Sequence, residues 1–321
     1  MERMAEVKTK RSYDWQIIIL LTILAAVMIF FYSMNPRFLG TYNLANISKH
    51  VSFVIISGCA VTLLMVAGGL DISMGSVVAC AGVLAAYLSR AGVETPLAFA
   101  LTICFGGILG LINALVVVKL RITPFIATLG MYYMARGIAY LLTKGLTIRE
   151  VAEDFGVFGQ SKIGPFPVPF LVTVAVVVLF LILEKKHSLG KYAVAIGGNP
   201  TAAMLSGIRT NAIMILLYVM VGLFSAFAGV LLASRLGVGD PKLMYGFEFV
   251  VITAVIVGGT SLAGGEGSIL GMVIAACILQ SITSGLNILG VFKWWQHVVN
   301  GLVLAVFVYV TVVVKAKFKH S

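Results

Sequence analysis

Charge is scarce in this chain. Only 11% of its 321 residues are Asp, Glu, Lys or Arg, against about 25% in soluble domains. Acids are the scarcer kind, 12 Asp and Glu against 23 Lys and Arg. So few charges cannot clothe a water-exposed surface, which excludes a soluble globular fold. The four cysteines, Cys59, Cys80, Cys104 and Cys277, sit in apolar stretches without ligand-like spacing. They read as small buried hydrophobes, not as a disulfide or metal framework. The four histidines are scattered and form no ligand cluster. No G-x-x-x-x-G-K-[ST] phosphate loop, H-E-x-x-H, G-x-S-x-G or C-x-x-C occurs. The chain therefore has no ATP site of the phosphate-loop kind, and no segment assembles the nucleophile, base and oxyanion donors that catalysis needs.

Apolar sequence is abundant: 60% of residues are hydrophobic and the mean hydropathy is +1.06. Lipid must be the solvent of such a chain. Candidate membrane spans are 15–34, 51–68, 76–89, 95–118, 124–143, 168–183, 212–234, 248–258, 268–283 and 297–314. The first has Trp15 as an interfacial anchor and no small-residue cleavage site after it, so it reads as a retained span. Segments 76–89, 248–258 and 268–283 fall short of the roughly 20 residues that a lipid-exposed helix needs. They adjoin glycine-rich breaks, which predicts broken helices around a protein-enclosed cavity.

The net charge of +11 follows loop topology and does not call for nucleic acid. Lys and Arg concentrate in both tails, around Lys119 and Arg121, and along Lys185, Lys186, Lys191 and Arg209. That bias places both termini in the cytosol and implies an even number of spans. The expected organisation is a cytosolic tail over 1–14, a transmembrane domain over 15–314 and a cytosolic tail over 315–321. A cytosolic loop over about 184–211 interrupts the domain. This loop is rich in small residues between Lys191 and Arg209. It has no task in lipid and no catalytic group, so it reads as a docking surface. Asn199 and Thr201 can cap a short helix there, with Pro200 in its first turn.

Two breaks are alike: Gly68-Gly69-Leu70-Asp71-Ile72-Ser73-Met74-Gly75-Ser76 and Gly258-Gly259-Thr260-Ser261-Leu262-Ala263-Gly264-Gly265-Glu266-Gly267-Ser268. Each has a glycine pair, one acid and a closing Gly-Ser between apolar runs. Asp71 is expensive at membrane depth. It can serve as a cap shaping the break, as a pathway residue, or in proton coupling. Arg136 either snorkels to the interface or pairs inside the bundle, with an acid or a helix end. Tyr132, Tyr133 and Met134 read as packing residues. Gly106, Gly107 and Gly110 predict close helix approach. Asn113 and Asn287 can bond a sugar hydroxyl or act as glue between helices. The Trp294-Trp295 pair fits an interfacial belt better than a sugar-stacking face.

In order along the chain, Gly69–Ser76, then Thr123-Pro124-Phe125-Ile126-Ala127-Thr128-Leu129-Gly130, then Gly190-Lys191-Tyr192 through Gly197-Gly198-Asn199, Ala202-Ala203 and Leu205–Ile208, then Gly258–Ser268 resemble the permease subunit of ribose-type sugar ABC importers. The resemblance covers roughly residues 37–314. It implies an all-α integral membrane fold: a polytopic bundle of about ten helices, some broken, in the bacterial inner membrane. It implies a permease that moves a pentose, hexose or related polyol by alternating access and is itself no enzyme, with no cofactor bound by this chain. The implied partners are an ATPase with two fused nucleotide-binding halves, a periplasmic or lipid-anchored sugar-binding protein, and a second permease copy or a paralogue. Gly197, Gly198, Asn199, Thr201, Ala202, Ala203, Ser206, Gly207 and Arg209 are the expected ATPase-coupling residues. Asp71, Ser73, Asn113, Phe125, Thr128, Arg136 and Asn287 are the candidates for pathway or gate. The competing reading is an ion- or proton-coupled secondary transporter, for which Asp71 is the only intramembrane carboxylate recognised in the sequence.

Overall fold

A computed structural model describes residues 2–292, 294–295, 298–299, 301–302 and 305, with side chains from Trp15 onward. Its helices in chain order are α1 (Glu2–Met34), α2 (Thr41–Val66), α3 (Met74–Arg90), α4 (Thr95–Val118), α5 (Pro124–Thr143), α6 (Val157–Gln160), α7 (Val168–Lys185), α8 (Ser188–Gly198), α9 (Pro200–Leu205), α10 (Thr210–Leu236), α11 (Phe247–Val257) and α12 (Ile269–Ile288). Seven are long and apolar enough to cross a membrane, while α3 and α11 are shorter apolar helices. Nine of the expected spans thus appear as helices, and most of 297–314 lies outside the described residues.

Three boundaries differ from the expectation. Helix α1 runs back to Glu2, while its stretch apolar enough to cross a membrane is the expected Trp15–Met34. Helix α2 starts at Thr41, ten residues before the apolar run. Its first turns carry Asn43, Asn46, Ser48 and Lys49, which interrupt the apolar run but not the helix. Helix α12 spans 20 residues and is not short; its last turns carry Ser281, Thr283, Ser284 and Asn287, which diluted the apolar signal.

The centre of the bundle is α10, which packs against α2, α3 and α4. Glycine makes the α4–α10 contact possible. A Cβ on Gly106 would run into Ala226 and the Gly222 carbonyl, and one on Gly110 would strike the Tyr218 carbonyl. Backbones this close gain dispersion contacts that lipid cannot supply. Helix α2 is buried without interruption from Val51 to Val66, as a helix apolar all round should be. On the periphery, α1 lays Leu20 against Val257, Ile274, Ala275 and Ile278. Of the cysteines, Cys59 and Cys80 are buried, Cys277 is partly buried and Cys104 is exposed. Cys104 thus departs from the reading of all four as buried hydrophobes, because it lies on the outer face of α4.

The segment 144–167 is a packed structure. A short hairpin pairs Lys162–Ile163 with Phe166–Pro167, Ile148 bridges to Gly239, and Phe155 is fully buried. Ser234 Oγ ties the segment to α10 by donating to the Phe155 carbonyl (2.6 Å) and accepting from Gly159 N (2.8 Å).

Candidate functional site: two broken helices and the loop between α7 and α10

Helices α2 and α11 stop by the same device. Gly68 has φ +82°, Gly68 N donates to the Met65 carbonyl and Gly69 N to the Leu64 carbonyl, both at 2.9 Å. Gly259 has φ +99°, Gly259 N donates to Ile256 (2.9 Å) and Thr260 N to Val255 (3.1 Å). This left-handed ending satisfies terminal carbonyls, and glycine adopts it without a Cβ penalty.

The extended stretch after α2 exposes backbone groups that lipid cannot solvate. Each of its key groups finds a protein partner. The Val66 carbonyl accepts from Gly265 N (2.8 Å), and the Leu70 carbonyl from the Tyr218 hydroxyl (3.2 Å). Ile72 N donates to Thr128 Oγ1 (3.2 Å), and Ser73 N to Asp71 Oδ1 (2.7 Å). The break is therefore cross-tied to α5, α10 and the second break.

Asp71 is 1% exposed. Its Oδ1 also accepts from Ser73 Oγ (2.6 Å), and its Oδ2 from Asn113 Nδ2 (3.1 Å). Asn113 Nδ2 reaches Ser73 Oγ as well (3.1 Å). Helix α3 begins at Met74 with Ser73 before it, so Asp71 closes a turn ahead of the helix instead of capping the helix itself. Asp71, Ser73, Asn113 and Thr128 thus form one cluster, in which Asn113 acts as glue between α4 and the break. Phe125 is on the same end of α5 as Thr128 but is half exposed. Asn287 is not in this cluster. It is exposed near the end of α12, where Gly285 abuts Phe31 and Ser284 Oγ donates to Asn43 Oδ1 (2.8 Å).

Arg136 is buried inside the bundle, and its named partners are carbonyl and hydroxyl oxygens. Nε donates to Ser76 Oγ (3.2 Å), and Nη1 to the Pro241 and Leu243 carbonyls (2.7 Å each). The Tyr245 ring covers the guanidinium with its centroid 4.1 Å away, and the Tyr245 and Tyr140 hydroxyls share a hydrogen bond of 3.1 Å. Arg136 thereby pins the irregular segment before α11, where Met244 sits at φ +60°. Tyr133 and Met134, read as packing residues, are instead exposed. Glu248, 3% exposed, presses its Oε2 on Gly75. It lies in the first turn of α11, where the helix dipole favours a carboxylate. Asp71 is therefore not the only buried acid. The signal for Glu248 was present as an acid inside the run Phe247–Val257.

The loop between α7 and α10 folds into α8 and α9. Asn199 Oδ1 accepts from Ala202 N (3.0 Å), with Pro200 at the first turn of α9, as the capping reading requires. Gly207, at φ +85°, closes the other end; Gly207 N donates to Met204 (3.0 Å) and Ile208 N to Ala203 (3.1 Å). Gly198, Asn199, Thr201, Ala202, Ser206, Gly207 and Arg209 are exposed. Ala203 is buried, and Gly197 is packed against the two breaks. These two positions face the chain itself. Sequence reasoning missed Met204 and Leu205, 59% and 81% exposed at the tip of α9.

A helical bundle with buried polar breaks and a helical loop projecting between two spans is the build of a polytopic membrane transport protein. A family model for the permease component of branched-chain amino acid transport systems matches residues 43–308, and the chain belongs to this family. It is 36% identical over 275 residues to the ribose import permease protein RbsC of Bacillus subtilis, covering 85% of each chain. With RbsC of Escherichia coli it shares 36% over 294 residues, 90% of each. With the L-arabinose transport system permease protein AraH of E. coli it shares 33% over 269 residues, 84% of this chain and 82% of that one. No solved structure matches. The protein is a multi-pass permease of the inner membrane.

Proposed function

We propose that this chain is the membrane permease subunit of an ATP-binding-cassette importer that carries a monosaccharide, a pentose, hexose or related small polyol, into the cytosol. The observation that carries the reading is likeness to ribose and arabinose permeases along nearly the whole length. About ten spans, both termini in the cytosol and the domain bounds given above complete the proposal. ATP hydrolysis falls to a separate ATPase with two fused nucleotide-binding halves. A periplasmic or lipid-anchored binding protein delivers the sugar, two permease copies or a paralogous pair form the pathway, and this chain needs no cofactor of its own. The exposed residues of α9 and its flanks, with Met204 and Leu205 at the tip, would seat in the ATPase. The Asp71–Ser73–Asn113–Thr128 cluster and Arg136 would shape the gate, with Phe125 on the pathway side of α5.

The test is reconstitution of the permease, its ATPase and its binding protein in liposomes, with a panel of radiolabelled pentoses and hexoses. ATP-dependent uptake of one sugar is expected, and uptake driven by an ion gradient without ATP would overturn the reading. In the same system, Met204→Asp with Leu205→Asp should weaken ATPase pull-down at unchanged membrane yield, because both side chains are exposed and their loss leaves the bundle intact. Wild-type pull-down by the double variant would remove α9 from the contact.

A further inference from the structure

The loop between α7 and α10 is fastened to the broken helices at two separate points. The first is Glu184, in the last turn of α7. Its Oε1 accepts the hydrogen bond of Ile269 N, the first residue of α12, at 2.9 Å. Ser268 Oγ accepts from Gly271 N at 3.1 Å. The start of α12 is thus held partly by its own cap and partly by a carboxylate that belongs to α7. That bond lies where a helix N-terminus favours an acceptor or negative charge. Helix α8 begins directly against this residue, since a Cβ on Gly190 would strike the Glu184 carbonyl and Cα.

The second point is Gly197, at the other end of α8. A Cβ there would strike the Val66 carbonyl and Gly265 N, the two atoms that hydrogen-bond each other at 2.8 Å. Gly264, at φ +83°, faces the same spot: a Cβ on it would lie 3.0 Å from Gly197 Cα and 3.1 Å from Gly68 Cα. Three backbones, one from each break and one from the loop, meet with no side chain between them. Such a contact cannot absorb a displacement by changing rotamers, and close-packed interiors transmit strain. A helix held at both ends moves with whatever holds it.

We propose that Glu184 and the Gly68–Gly197–Gly264 junction form a two-point linkage that carries displacement of α8 and α9 into both broken helices at once. Glu184 is the positioning residue that makes α12 follow. The inference rests on the reading of the chain as an ATP-driven permease and names the route by which the motor's stroke reaches the gate.

The test uses the full reconstituted complex, measuring radiolabelled ribose and arabinose uptake together with ATP hydrolysis. Glu184→Ala should assemble and hydrolyse ATP but move at least about fivefold less sugar per ATP, the lower end of ordinary coupling energies. Glu184→Gln keeps an acceptor oxygen of the same reach and should retain most of the wild-type ratio. Ser268→Ala removes a cap from the same helix end without touching α7, so its ratio should stay near wild type. A wild-type ratio in Glu184→Ala, or an equal fall in Ser268→Ala, would overturn the linkage. A second measurement depends neither on the Glu184 and Ser268 variants nor on the sugar. Spin labels replace Val194 on α8 and Leu262 in the second break, both exposed, in a background lacking Cys104. Their separation should stay constant between nucleotide-free and ATP-bound complexes, while the distance from either to a label at Phe166 changes. If the 194–262 separation changes as much as the others, the linkage is refuted. Failure of the wild-type complex to take up any sugar with ATP would instead count against the functional reading, leaving the spin-label result to judge the linkage.

Discussion

Asp71 shows how an acid survives at membrane depth: three donor contacts from Ser73 and Asn113 surround it. Asp71→Asn keeps an acceptor for Ser73 N and should preserve substantial uptake. Asp71→Ala leaves that buried N–H unpaired, at a cost of about 1–3 kcal/mol, and should lose most uptake and thermal stability. Equal loss in both variants would show that the charge itself is required. For Arg136, the planar fork matters, because one nitrogen bonds two carbonyls and another a hydroxyl. Lysine cannot reproduce that geometry, so Arg136→Lys should melt in detergent nearly as early as Arg136→Gln; a wild-type midpoint for the lysine variant would argue for charge alone. At this scale Asp71 and Arg136 were visible in the sequence because a charge interrupts an apolar run. Glu184 and Glu248 carried the same signal but were passed over, since each lies at the edge of a run, Glu184 just after 168–183 and Glu248 at the start of 248–258. The partners of Arg136 were beyond reach, Ser76 lying 60 residues away in sequence and the two carbonyls more than 100.

Helix α4 with α10 is the element pair most sensitive to a single methyl group. Gly110→Ala puts a Cβ into the Tyr218 carbonyl and should destabilise the bundle by about 1–3 kcal/mol, as overpacking does. Gly137→Ala, on α5 where nothing lies within 4 Å, should be neutral or stabilise by up to about 1 kcal/mol through helix propensity. Thermal melts of the two purified variants, compared side by side, check both claims. If Gly110→Ala melts with the wild type, the helices are not in backbone contact. Close approach was legible from the glycine spacing on α4, but the identity of the facing helix was not. Helix α9 was legible too, from Asn199 and Pro200. Which of its residues face outward was not, because a helix of one and a half turns is too short for a periodic pattern. Ala203 turned inward while Leu205 turned out.

For the molecule as a whole, the expected energy source is ATP, although Asp71 and Glu248 give it two buried acids. Uptake in the reconstituted complex at constant ATP should persist when a protonophore is added, and the permease purified alone should show no ATP turnover. Collapse of uptake with the protonophore would revive the secondary-transport reading. The sequence by itself determined that this is a polytopic helical membrane protein with interrupted spans and a capped short helix in the loop between two of them. Hydrophobicity, glycine placement and caps act over a few residues, and a lipid solvent leaves the backbone few options. Only the tertiary structure decided that Gly68, Gly197 and Gly264 meet at one point. The same holds for Glu184 as a support of α12 and Arg136 as the pin of the segment before α11. Those contacts join residues tens to hundreds of positions apart, and no local pattern encodes which backbones will touch once the helices pack.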